Sequence, residues 1–133
     1  MNVENLIQKV TNETIIKLKK SGLINDSDKK AFKKTEEVLK NFQKYEEAVA
    51  ADKEGTIKTQ KLINIIRTAL RSIEDDPYYE IIIMFYLKNN TREEIAEYFD
   101  CDVKTITRNK RRLINKIKLI VFSDESIKEL FEL

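Results

Sequence analysis

The most concentrated chemistry in this sequence is cationic. Residues 103–118 hold seven basic side chains (Lys104, Arg108, Lys110, Arg111, Arg112, Lys116 and Lys118) and no acidic one, whereas residues 91–102 hold five acids and a single arginine. The chain as a whole has a formal net charge of only +2, so the signal lies in where charge is placed rather than in its total. Three of the six arginines fall within this run. A guanidinium is a planar fork suited to bidentate contact with guanine edges and phosphate. The chemistry available here is contact with the phosphates and base edges of a nucleic acid.

Other chemistries are poorly supplied. There is no histidine, which removes the usual general base and the common zinc ligand. The single cysteine, Cys101, can form neither an internal disulfide nor a thiolate cluster, which suits a reducing cytoplasm. Glu93, Glu94 and Glu97 lie close together, but with no partner group they read as a solvated helix face complementing the helix dipole. The sequence therefore predicts a protein that is not an enzyme and needs no cofactor or metal. No apolar run approaches the roughly 20 residues that span a bilayer, and the start MNVENLIQKV lacks the apolar centre of a signal peptide. The expected location is the cytoplasm.

The elements that must carry these groups are helical throughout. Two glycines and one proline in 133 residues, with abundant Lys, Glu, Leu and Ile, predict an all-α fold. Val3, Leu6, Ile7 and Val10 start a helix over 3–20, and the NDSD run at Asn25–Asp28 supplies caps for a second over 28–51. In the latter, Phe32, Thr35, Leu39, Phe42, Tyr45 and Val49 alternate as in a coiled-coil seam, which fits either packing within the chain or a homodimer. Residues 52–60 read as a linker between N-terminal helices (1–51) and a C-terminal domain (61–133). Leu62, Ile65, Ile66, Ala69, Leu70 and Ile73 define a third helix. Asp76-Pro77 signals another start, and YYEIIIMFYL, apolar on nearly every side, should be the buried rod of the domain.

Thr91 and Glu94 form a capping box that begins the next helix. Ile95, Ala96 and Phe99 give its inner face, Asp100 stands at a sharp turn, Cys101 packs behind it and Asp102 caps a final helix from Val103 to about Val121. This is the layout of a helix-turn-helix with a basic recognition helix. Val103, Lys104 and Arg108 are the candidates for base contact, and Thr105, Thr107, Lys110, Arg111 and Arg112 for the DNA backbone. About five neutralised phosphates would give a log-log salt slope of about −4 to −5. Asn109 stands where an aliphatic residue is expected.

Residues 74–117, from EDDPYYEIII through TREEIA to the basic helix, resemble region 4 of sigma-70-type factors. With the Lys-rich N-terminal helices and the ending VFSDESIKELF, the chain resembles ArpU-type transcriptional regulators of Gram-positive bacteria and their prophages. The likeness covers residues 61–133 well and the first fifty loosely, and Asp100 and Asn109 depart from the usual pattern. It implies a DNA-binding regulator of late genes, with Val103, Lys104, Thr107 and Arg108 facing the major groove of double-stranded DNA. It also implies RNA polymerase as a second partner, since sigma region 4 touches both. A sigma-like docking factor and the DNA-recognition subunit of a packaging or recombination complex are the competing readings.

Overall fold

A computed structural model describes residues 24–51 and 57–131, and all of their regular structure is helical. The elements are α1 (Ile24–Lys40), α2 (Phe42–Ala51), α3 (Ile57–Ile73), α4 (Tyr79–Ile82, running on as a π-turn over Ile83–Leu87), α5 (Arg92–Phe99), α6 (Val103–Val121) and α7 (Asp124–Phe131). The helix expected over 3–20 lies outside the described residues, as do residues 52–56 of the linker. The linker's remaining residues, 57–60, already belong to α3. Among the described residues no helix is long and apolar enough to cross a membrane.

Helix α6 is the axis of the molecule, and α1, α3, α4, α5 and α7 all pack against it. Its residues Leu113, Ile114, Ile117 and Val121 join Leu62, Ile66, Ala69 and Ile73 of α3 and Val38, Leu39, Phe42 and Tyr45 of the N-terminal helices in one core. A smaller cluster of Ile81, Ile95, Ala96 and Ile106 locks α5 onto the start of α6. Ala96 serves there because a small side chain lets two helices cross closely.

Three local expectations need correction. The second helix is not continuous. It begins at Ile24, ahead of the NDSD run, and breaks at Asn41, whose Nδ2 donates to the Glu37 carbonyl at 2.8 Å, an asparagine competing with the helix for backbone partners. The seam residues Thr35, Leu39, Phe42 and Tyr45 are buried within the chain itself, so of the two readings of this stripe these four residues take the packing within the chain. Nor does a helix begin at Asp76-Pro77. Asp76 Oδ1 instead accepts from the Tyr78 amide at 2.9 Å, an Asx turn, and α4 starts at Tyr79.

The rod itself is shorter and looser than an ideal helix. Lys88 N donates to the Ile83 carbonyl at 3.0 Å, a five-residue step, and Asn90 N to the Met84 carbonyl at 2.8 Å. Asn89 then takes a left-handed φ of 58°, a conformation asparagine tolerates well. Ile82 and Tyr86 enter the main core while Ile81 enters the second cluster, with Met84 packed against it. Leu113→Ala should cost about 3 kcal/mol, with the N-terminal and C-terminal helices melting in one urea transition. Separate melting of α1 and α2 would contradict a shared core.

Candidate nucleic-acid interface

The two helices of the motif each begin on a side-chain cap. Thr91 Oγ1 accepts from the Glu94 amide at 3.1 Å, and Glu94 Oε1 accepts from the Thr91 amide at 3.0 Å, so α5 starts with a complete capping box. It ends at Asp100, with φ 52° and ψ 50°, the left-handed conformation in which Asp is tolerated better than most residues. Cys101 N donates to the Ala96 carbonyl at 3.0 Å, and its half-buried side chain packs on the second cluster. One residue later Asp102 Oδ1 accepts from the Thr105 amide at 2.8 Å and opens α6. Bonding from Thr105 holds the Asp102 carboxyl below its usual range, and Arg108 and Lys104 add to the effect.

Val103, Lys104, Thr107, Arg108 and Arg111 line one shallow depression on the first half of α6. Their offsets of one, four, five and eight residues from Val103 place them on one face. Lys104, Arg108 and Arg111 are exposed, and among the described residues none of the three makes an ion pair or hydrogen bond. Val103 is half-buried against the second cluster, so only part of its side chain reaches the surface. Thr105 is half-buried on the neighbouring flank, where its carbonyl accepts from Asn109 Nδ2 at 2.9 Å.

Two expected backbone-contact residues point elsewhere. Lys110 is 6% exposed. Its Nζ lies 3.7 Å from Glu36 Oε2 of α1 and 4.2 Å from the centre of the Phe85 ring. Burial lowers its proton affinity and Glu36 opposes that shift. Its position, four residues after Ile106 and three before Leu113, puts it on the apolar stripe of α6, and helical phase alone could have revealed this. Arg112 is also committed. Nη1 and Nη2 meet Asp76 Oδ2 and Oδ1 at 2.7 and 2.9 Å, a bidentate pair.

Asn109 explains its own departure from an aliphatic residue. While Nδ2 holds the Thr105 carbonyl, its Oδ1 accepts from Arg112 Nε at 3.2 Å, which aims the guanidinium at Asp76. Lys116 Nζ stands 4.0 Å from the same carboxylate, and Lys118, 7% exposed, pairs with Asp28 of α1. Apart from Lys116, exposed at the edge of the Asp76 pair, the run of cations thus divides in two. Lys110, Arg112 and Lys118 bind carboxylates from other parts of the chain, while Lys104, Arg108 and Arg111 face solvent. No sequence signal marks Glu36, Asp28 or Asp76 as partners, because each pair joins positions 36 to 90 residues apart. Comparison with protein-family models, curated proteins and solved structures gives no match.

The Arg112 bond holds the Asp76 carboxyl at about 2, below its ordinary 3.8, with help from the Tyr78 amide and Lys116 against the opposing effect of burial. A depressed carboxylate adds stability above its unfolded pKa and loses it as pH falls through its folded one. Asp76→Asn should therefore cost about 1–2 kcal/mol at neutral pH, and the variant should show a flatter loss of stability between pH 4 and 2 than the parent. Equal acid sensitivity, followed by circular dichroism, would show that the pair does not govern that window.

Proposed function

We propose that this protein binds double-stranded DNA by laying the first half of α6 in the major groove, as the recognition helix of a helix-turn-helix, and that it regulates transcription. The observation that carries the reading is the solvent face of Val103, Lys104, Thr107, Arg108 and Arg111. Three of its five side chains are exposed cations that make no ion pair among the described residues, whereas Lys110, Arg112 and Lys118 of the same helix pair with carboxylates within the chain. Uncompensated like charges on one rigid face repel one another unless an anion lies against them. A duplex presents such an array, and a major groove admits one α-helix.

Within this reading the roles follow from position. Lys104 and Arg108 stand where side chains reach base edges, and the Val103 methyls can meet a thymine methyl. Arg111, one turn further on, and Thr107 suit the phosphates. The acidic face of α5 (Glu93, Glu94 and Glu97) cannot lie flat on DNA, so α5 crosses above the groove while its cap orients α6. The resemblance to ArpU-type regulators and to sigma region 4 extends the proposal to promoter DNA of late genes. A sigma-like role would add RNA polymerase as a partner.

Binding of labelled duplexes, followed by fluorescence anisotropy, tests the assignment. Arg108→Ala should cost about 1–3 kcal/mol on the preferred sequence and relax selection at one base position. Arg111→Ala should weaken all sequences alike and flatten the salt slope by about 0.9. Affinity that does not change with salt would rule out the DNA reading.

A further inference from the structure

Beside the α6 face lies a second group of cations drawn from other elements. The pairs Asp28–Lys118 and Glu36–Lys110 run in opposite directions along the two helices with the same eight-residue spacing, so α1 lies antiparallel along α6. Lys40 follows Glu36 by one helical turn on the same face. Continuing the register puts it at the level of Ile106, within the basic first half of α6. Arg92, the first residue of α5, lies toward the same place, because α1 and α5 both pack on the π-turn that carries Tyr86, whose hydroxyl donates to Glu36 of α1, and its charge is felt at Lys110 and Tyr86.

Two further cations therefore approach the Lys110 ammonium, which has Glu36 as its carboxylate. Glu36 is already shared between Lys110 and the Tyr86 hydroxyl, which donates to its Oε2 at 2.5 Å. Lys40 and Arg92 are exposed, and among the described residues neither has an ion pair or hydrogen bond. Folding gains nothing from this grouping, since each added cation makes the burial of Lys110 harder. An anion outside the protein would relieve it.

We propose that Lys40 and Arg92 form a second phosphate grip, which carries the DNA-binding surface of α6 around its Lys110 flank onto α1 and α5. The inference rests on the reading of α6 as the DNA-facing helix. The fitting anion is the backbone of the same duplex rather than a small phosphate ligand. The two side chains are exposed, sit on separate helices and continue the charged face of Lys104, Arg108 and Arg111 instead of closing a pocket. Arg111, Lys40 and Arg92 then neutralise about three phosphates, which gives a slope of about −2.7.

The test uses the full chain and a pool of random-sequence duplexes of about 20 base pairs, roughly two helical turns, with affinity measured across a salt series. Lys40→Gln and Arg92→Gln should each flatten the slope by about 0.9 and together by about 1.8, with the selected base sequence unchanged. Lys40→Arg and Arg92→Lys should preserve the slope, and Lys128→Gln, on exposed α7, should leave it as in the parent. A parental slope in the double glutamine variant, in a protein that does bind duplex, would overturn the second grip and leave the α6 assignment standing. A parent chain that binds no duplex would remove both.

Discussion

Two lysines on the longest described helix, Lys110 and Lys118, are turned into the body of the protein, and a buried ammonium is tolerated only beside a carboxylate. Both carboxylates come from α1, two turns apart, and this matched spacing sets the direction and register of α1 along α6. Much else depends on that pairing. Val38 and Leu39 reach the main core because α1 lies there. The Tyr86 hydroxyl finds Glu36 where the rod widens into its π-turn. Removing one partner alone would strand a buried charge, which costs far more than the pair itself contributes.

The same helix must serve as core and as surface, and it separates the two along its length. Its second half is enclosed by Leu113, Ile114, Ile117 and Val121, whereas its first half shows Ile106, Lys110 and part of Val103 to the interior and turns Lys104, Arg108 and Arg111 outward. Between them, Asp76 fixes the helix from the side. It closes an Asx turn with one oxygen and grips Arg112 with both, while Asn109 sets the guanidinium plane. The outward face is thereby carried on a backbone capped at Asp102, clamped at Arg112 and sewn to α1 at Lys110. A rigid face of this kind suits recognition, where positioning sets specificity as much as contact does.

Much of this was legible in the sequence because the signals were local. The all-helical fold, the capping box of Thr91 and Glu94, the Asp102 cap and most of the inner face of α3, all but Thr59 and Ile63, are written within single turns, and the structure has them where the residues predict. The break at Asn41 was missed because a side chain bonding to its own backbone leaves the apolar spacing intact. The π-turn was hidden for a similar reason, since YYEIIIMFYL is apolar in every phase. What stayed out of reach was long-range charge pairing. A basic residue on a helix looks the same whether a carboxylate waits 36 residues upstream or not, so the candidate face carried Lys110 and Arg112 along with the cations that do reach solvent. Helical phase could have removed Lys110, but only the fold reveals what Arg112 holds.

The most direct measurement is a titration of unlabelled duplex DNA into the isotope-labelled protein, followed by amide and guanidinium resonances. The expected result is that the largest shifts fall on residues 103–111, with the Arg108 and Arg111 guanidinium signals moving and those of Arg112 unmoved in its pair with Asp76. Shifts centred on α3 and α7, with residues 103–111 silent, would contradict the placement of DNA on α6.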